Sequence, residues 1–191
     1  RGFTAFAEQA QPDAVMAVLA EYHAALGELI LAYEGTLERF VGDGLLVLFN
    51  DPLPCSDHSA RAVGMALEMR GSMGAVSDRW RRRGYELGFG IGIAQGYATL
   101  GPIGYEGRTD YAAIGSVPNL ASRLCDEAGP GQILISQRVY ISIEEKVDVT
   151  PVGDLTLKGF HRPVAAYDVR RWRDGTTSPG ADPARALAGS A

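Results

Sequence analysis

The segment from residue 87 to residue 96 constrains the fold more than any other, because it alternates glycine with bulky residues. Its sequence is Leu-Gly-Phe-Gly-Ile-Gly-Ile-Ala-Gln-Gly. Successive side chains of a β-strand point to opposite faces, so Phe89, Ile91 and Ile93 lie on one face and bare backbone lies on the other. We therefore predict a strand whose glycine face is packed very closely by another element.

Ahead of this strand, hydrophobic periodicity predicts three elements. They are one long amphipathic helix from Thr4 to about Tyr33, a hairpin of strands Leu37–Val41 and Leu45–Phe49, and a second helix from about His58 to Arg82. Pro12 and Asp13 supply helix-start chemistry near the beginning of the first helix. The pair Asp43-Gly44 lies between the two β-rich runs and is a strong hairpin signal.

The sequence after residue 96 predicts further alternation of helices and strands. The elements are a Gly/Tyr-rich loop to Arg108, a strand at Tyr111–Ile114, a helix at about Pro118–Glu127, a strand at Gln132–Ser136, a helix from about Gln137, and strand-like segments Val147–Leu157 and Val164–Arg170. This order predicts an α+β fold with a mixed or antiparallel sheet and helices on one face. A strand ahead of Arg1 would make the core a ferredoxin-like βαββαβ unit.

Length and composition narrow the class of protein. The chain has 191 residues, enough for one domain, and we predict a folded domain over residues 1–171 and a flexible tail or linker over residues 172–191. Its net charge of -5 gives no overall attraction to nucleic acid, and we find no apolar run near the ~20 residues of a membrane span. Cys55 and Cys125 lack metal-ligand spacing, which indicates a reducing, cytoplasmic setting.

Asp43 is a candidate metal ligand because of its position at a hairpin tip. Gly42 and Gly44 flank it, so a metal ion and a phosphate chain can come close to the carboxylate. Taken alone, an aspartate in such a sequence is more often only a turn residue.

Asn119 and Arg123 are candidate anion-binding residues because they are four residues apart near the start of a predicted helix. They share one helical face, where an amide, a guanidinium and free backbone N–H groups form an anion site. A solvated surface pair is an equally good interpretation of these two residues alone. Lys158 is more often a plain surface lysine, although Gly159 beside it lets a phosphate approach.

Five segments in the right order together resemble the bacterial type of class III adenylyl/guanylyl cyclase catalytic domain. They are Arg1–Thr4, Arg39–Gly44, Gly90–Ile93 with Gly96, Asp110–Leu124 and Leu157–Phe160. The resemblance covers residues 1–171 and implies the class III nucleotidyl cyclase fold, with its first strand missing from this sequence and with extended C-terminal strands. Because the chain opens at Arg1 rather than Met, we expect it to be part of a longer protein with regulatory or sensor domains.

The resemblance also implies a reaction and the residues that perform it. A nucleoside triphosphate's own 3′-oxygen attacks the α-phosphate, assisted by two Mg²⁺ or Mn²⁺ ions. The implied roles are metal binding for Asp43, ribose orientation for Asn119, stabilisation of phosphate charge for Arg123, binding of the terminal phosphates for Lys158, and further substrate contacts for Phe3, Thr4 and Gly42. The second metal-binding aspartate of the family pattern falls two residues before Arg1. The family arrangement is a homodimer in which Asp43 and the Asn119–Arg123 pair come from different subunits.

Base recognition is where this sequence departs from the family pattern. Arg39 stands where adenylyl cyclases have Lys and guanylyl cyclases have Glu, and Ala112 stands where Asp or Thr usually accepts from adenine's amino group. Arg39 offers only donors and Ala112 offers no polar group. A surface strand residue paired with Glu38 or Glu34 is the alternative role for Arg39. We expect ATP to be favoured over GTP, and the alternative function is a degenerate cyclase-like domain that binds nucleotide or dimerises without turnover.

Overall fold

The computed structural model describes residues 1–176 and residue 180. Its elements are α1 (Phe3–Gln9), α2 (Pro12–Ala32), β1 (Thr36–Val41), β2 (Gly44–Leu48), α3 (His58–Arg82), β3 (Ile91–Ile93), β4 (Thr99–Tyr105), β5 (Arg108–Ile114), α4 (Ser116–Glu127), β6 (Ile133–Ser136), α5 (Gln137–Ile143), β7 (Val147–Leu155) and β8 (Val164–Trp172). The predicted α+β class is confirmed.

The main sheet has four strands in the order β3-β6-β8-β7. β3 runs parallel to β6, whereas β6 and β7 both run antiparallel to β8, so the sheet is mixed, as predicted. The β1–β2 and β4–β5 hairpins each form a separate two-stranded sheet in the described part of the chain.

The prediction of a single long helix from Thr4 to Tyr33 is wrong, because the helix is interrupted between α1 and α2. Proline disfavours helical geometry in the residue before it, and Gln11 is extended, with a ψ of 145°. Pro12 then occupies the first turn of α2, where its missing N–H costs nothing. The helix-start chemistry identified in the sequence therefore begins a second helix.

The prediction that the sequence has no apolar segment long enough to span a membrane is also wrong. α2 has 21 residues and is long and apolar enough to cross a membrane by length and composition alone. In this structure Val18, Leu26 and Ile30 of α2 are buried in a cluster shared with α3, including Met69 and Met73. The apolar face of α2 thus contributes to the core of the domain.

The predicted loop up to Arg108 contains a strand, so that prediction is wrong as well. β4 pairs with β5 from Thr99 opposite Ile114 to Tyr105 opposite Arg108. Gly101, Pro102 and Gly104 obscure the strand pattern of β4, because both residue types are depleted in strands. The predicted strand at Tyr111–Ile114 is the second half of β5.

The glycine face of the segment around β3 is packed as predicted. A Cβ atom on Gly92 would lie 2.2 Å from the carbonyl oxygen of Ala121 and 2.2 Å from the amide nitrogen of Cys125, both in α4. A Cβ on Gly90 would lie 2.9 Å from the carbonyl oxygen of Ala128. The backbone of α4 therefore rests directly on β3, which fixes the position of the helix that carries Asn119 and Arg123.

The end of the fold lies slightly beyond the predicted domain boundary. β8 continues to Trp172, and the amide of Arg173 donates to the carbonyl oxygen of Lys146 at 2.9 Å. Of the predicted tail, residues 177–179 and 181–191 lie outside the described residues.

Candidate active site

Asp43 lies at the tip of the β1–β2 hairpin. Val41 pairs with Gly44, so the two loop residues are Gly42 and Asp43, and the predicted turn pair is displaced by one residue. Gly42 has a φ of 62°, the left-handed geometry that a two-residue type II′ turn requires at its first loop position. The turn holds Asp43 at the exposed end of a short, defined loop.

The negative charge of Asp43 affects a largely buried tyrosine of α2. Burial raises the pKa of Tyr22 in α2 well above its ordinary value, and the charges of Asp43 and Cys125 raise it further. The Arg1 side chain lies at the end of α4, where it donates to the carbonyl oxygens of Cys125 and Ala128. Asp43 at the hairpin tip therefore acts electrostatically on Tyr22 of α2.

A metal ion would find one suitable protein ligand at this tip. The Asp43 carboxylate is the hard oxygen donor that Mg²⁺ and Mn²⁺ prefer. No group of three or more His, Cys, Asp and Glu residues suited to a metal occurs among the residues that the structure describes. Asp43 therefore fits a site completed by other oxygen donors, such as phosphate oxygens.

α4 presents Asn119 and Arg123 on one face, as their spacing predicts. The helix begins at Ser116, two residues earlier than predicted, and Pro118 is tolerated in its first turn. Asn119 is exposed, and the Arg123 guanidinium donates to Asp126 at 2.8 Å in a largely exposed ion pair. Such pairs contribute about 0.5 kcal/mol or less, so an incoming phosphate can displace Asp126 from Arg123.

Lys158 projects from a tight turn between β7 and β8. The amide of Phe160 donates to the carbonyl oxygen of Leu157 at 3.0 Å, and Gly159 has a φ of 86°, as the third position of a type II turn requires. Leu157 is buried in one cluster with Leu124 of α4. This shared cluster connects the Lys158 turn to the helix that carries Asn119 and Arg123.

Phe3 and Thr4, the predicted substrate contacts near the chain start, differ in their surroundings. The Phe3 ring is half-buried, packs against the core and lies 5.9 Å from the Phe6 ring. Thr4 is exposed in the first turn of α1. Their roles toward a substrate remain predictions, as does that of Gly42.

Glu38 links Arg39 to Ala113, the residue next to Ala112. The Glu38 carboxylate accepts from Arg39 Nε at 2.5 Å and from Arg39 Nη2 at 2.6 Å. The same carboxylate accepts from the backbone amide of Ala113, next to the fully buried Ala112, at 3.2 Å. Arg39 is therefore paired with Glu38, whereas Glu34 pairs with Arg61.

The hydrogen bonds from Arg39 lower the pKa of the Glu38 carboxyl, with a smaller contribution from the Ala113 amide. The carboxylate therefore stays charged at neutral pH. No sequence signal predicts this arrangement, because Glu38 reaches Ala113 across 75 residues of chain.

The predicted residues thus occupy two regions of the domain. The hairpin carries Asp43 and Arg39, whereas α4 and the adjacent turn carry Asn119, Arg123 and Lys158. No hydrogen bond or ion pair joins Asp43 to α4 or to Lys158 among the described residues. Together the two regions offer one carboxylate, one amide and several cations, a set suited to a metal-bound polyphosphate.

Comparison with known proteins identifies one family. A family model described as "Adenylate and Guanylate cyclase catalytic domain" matches residues 1–170. Adenylate cyclase 1 of Rhizobium meliloti is 30% identical over 170 residues, which cover 87% of this chain and 26% of that protein.

Two solved structures are also similar. The adenylyl cyclase CyaB from P. aeruginosa is 36% identical with a TM-score of 0.85, over 93% of this chain and 92% of that chain. The guanylyl cyclase Cya2 is 34% identical with a TM-score of 0.86, over 93% and 91%. The chain spans 26%, 35% and 30% of the first three curated relatives, about a quarter to a third of their length.

Proposed function

The chain belongs to the adenylate and guanylate cyclase catalytic domain family, and we propose that it converts a purine nucleoside triphosphate to the 3′,5′-cyclic monophosphate and pyrophosphate. The observation that carries the proposal is the placement of Asn119, Arg123 and Lys158. Close packing on Gly92 fixes the helix α4 that carries Asn119 and Arg123, and Leu157, next to Lys158, is buried in one cluster with Leu124 of that helix. Similarity to both adenylyl and guanylyl cyclases supports a purine substrate.

The proposed reaction is an internal displacement at phosphorus. The 3′-hydroxyl releases its proton to water and its oxygen forms a bond to the α-phosphorus, while the bond from that phosphorus to the bridging oxygen breaks and pyrophosphate leaves with the electron pair. The Asn119 amide orients the ribose, so that the attacking oxygen lies in line with the leaving group. Arg123 stabilises the charge that develops on the α-phosphate, and Lys158 binds the terminal phosphates.

Asp43 would supply one ligand to two Mg²⁺ or Mn²⁺ ions in this proposal. Bound divalent ions neutralise phosphate charge and favour the ionised 3′-oxygen. In the family pattern that the sequence resembles, the second metal-binding aspartate stands two residues before Arg1, and we propose that it completes the protein's share of the metal ligands. Asp43 itself holds its carboxylate at the exposed loop tip, where the polyphosphate can reach it.

We further propose that the domain acts as a homodimer with shared sites, as the cytoplasmic output domain of a longer signalling protein. Both hairpins expose large apolar side chains, with Phe40 56%, Val41 57%, Tyr105 72% and Ile114 52% exposed. Apolar clusters of this kind mark protein–protein contact surfaces. In the family arrangement that the sequence resembles, a dimer brings Asp43 of one subunit to Asn119 and Arg123 of the other.

Weak selectivity between ATP and GTP is expected, within about tenfold in kcat/KM, because Ala112 supplies no polar group to the base. ATP is the favoured substrate in the proposal. The double variant Ala112→Thr with Arg39→Lys should shift the preference toward ATP, since it adds an acceptor for the amino group of adenine and a compact donor for N1.

Initial rates of cyclic AMP and cyclic GMP formation over a range of substrate concentrations measure this preference. Asp78→Asn, at an exposed ion pair in α3, is the matched control and should leave the ratio unchanged. A wild-type preference above about a hundredfold for either purine would show that other residues recognise the base. An unchanged ratio of kcat/KM for ATP and GTP in the double variant would also show that other residues recognise the base. Tight binding of both nucleotides without any cyclic product would favour the degenerate alternative.

A further inference from the structure

Glu38 owes its position to an irregularity in β1. Leu37 pairs with Val47, but Arg39 pairs with Leu46, so Glu38 is an extra residue opposite the partner strand. In a regular strand the side chains of Glu38 and Arg39 would point to opposite faces, whereas a bulge re-aims one of them. The bulge explains how two consecutive side chains can meet in a two-point hydrogen-bonded pair.

The pair is asymmetric in its exposure to solvent. The Glu38 side chain is 0% exposed, whereas the Arg39 side chain is 47% exposed. The Ala113 amide holds the Glu38 carboxylate from the side of β5. The Glu38 carboxylate is therefore held by the Ala113 amide as well as by Arg39, and the half-exposed guanidinium is oriented by two hydrogen bonds to it.

The bonds to Glu38 leave one edge of the guanidinium available. They use Nε–H and one N–H of Nη2. The remaining donors are the second N–H of Nη2 and the two N–H groups of Nη1. In the planar guanidinium, one N–H from each of these nitrogens point the same way, which gives a two-donor fork directed away from Glu38.

We propose that Glu38 is a positioning residue for base recognition, which holds Arg39 so that its free two-donor edge meets the purine. The proposal rests on the proposed function of the site as a purine nucleotide site. Guanine offers adjacent acceptors at O6 and N7, which match two parallel donors, whereas adenine offers N7 beside an amino group that also donates. The Glu38–Arg39 pair therefore favours the guanine nucleotide and opposes the adenine preference, which keeps overall selectivity weak.

Equilibrium binding of fluorescent GTP and ATP analogues to the full-length protein tests this inference separately from turnover. In Glu38→Gln, the Kd for the GTP analogue should rise about tenfold, while that for the ATP analogue changes less than about twofold. Glu38→Asp keeps the carboxylate on a shorter chain and should show a smaller rise for the GTP analogue. In an Arg39→Ala background, Glu38→Gln should change neither Kd, because the residue it positions is gone.

Asp78→Asn, which breaks the exposed Arg81–Asp78 ion pair, is the control for loss of an ion pair and should bind both analogues like the wild type. The inference would be overturned if Glu38→Gln weakened the binding of both analogues equally. It would also be overturned if Glu38→Gln still weakened binding of the GTP analogue in the Arg39→Ala background. If Glu38→Gln fails to fold, Glu38→Asp replaces it in the test. A rise in Kd for the GTP analogue alone would support the inference, and an equal rise for both analogues would overturn it. A wild type that binds both analogues but forms no cyclic product would contradict the proposed function, and Glu38 would still be judged on the binding ratio.

Discussion

Asp43→Ala should abolish cyclic nucleotide formation while leaving the fold intact. Metal ions contribute several kcal/mol to reactions of this type, so loss of a metal ligand should lower kcat/KM by about 10³-fold or more. Asp43 is exposed at a two-residue turn, so the free energy of unfolding should change by less than about 0.5 kcal/mol. The assay uses the full-length protein.

Glu145→Ala is the matched control for Asp43→Ala, because Glu145 is another exposed carboxylate, in the turn after α5. This control should retain wild-type turnover. Thermal unfolding of both variants separates loss of a ligand from loss of structure. Near-wild-type activity in a folded Asp43→Ala protein would reject the assignment of Asp43 as a metal ligand.

Mixing two inactive variants, Asp43→Ala and Arg123→Ala, should restore activity. If each site takes Asp43 from one subunit and Arg123 from the other, a heterodimer carries one intact site and one doubly altered site. Random exchange at equal concentrations makes half of the dimers heterodimers, so about a quarter of wild-type activity should return. Each variant alone should stay inactive at the same total concentration.

Subunit exchange in the mixture is followed by the capture of one tagged variant with the other. Inactivity despite demonstrated exchange would contradict a site shared between subunits. Substantial activity of one unmixed variant would contradict the role assigned to its altered residue.

Local patterns in the sequence were enough to predict much of the fold. The alternation of glycine around Gly92 predicted a close approach, and α4 supplies it. The long helix His58–Arg82 and the helix that carries Asn119 and Arg123 also follow from their periodicity. The predicted helix joins α1 to α2 because its apolar periodicity, from Val15 to Ile30, lies wholly after Pro12 and carries no information on the segment before it.

Other features depend on pairing between strands, which one stretch of sequence does not encode. The hairpin turn at Gly42-Asp43 differs from the predicted pair by one residue, since both dipeptides suit a tight turn. β4 is rich in glycine and becomes a strand through its partner β5.

In the candidate site, too, some features follow from the local sequence, whereas others depend on contacts between residues far apart in the chain. Asp43, Asn119, Arg123 and Lys158 stand in short motifs, so their identities and local geometry follow from the residues beside them. The ion pair of Arg123 with Asp126 is also local, at a spacing of three residues. The link from Glu38 to Ala113 joins a bulge to a different hairpin, and only the folded chain brings these residues together.

The identity of the reaction product tests the central proposal most directly. The full-length protein is incubated with each of the four nucleoside triphosphates in Mg²⁺ or Mn²⁺, and the products are identified by mass. We expect cyclic AMP from ATP and cyclic GMP from GTP, each with pyrophosphate, at values of kcat/KM within about tenfold of each other. The absence of any cyclic product from both purine nucleotides, with both ions, would contradict the proposal that this domain is a nucleotidyl cyclase.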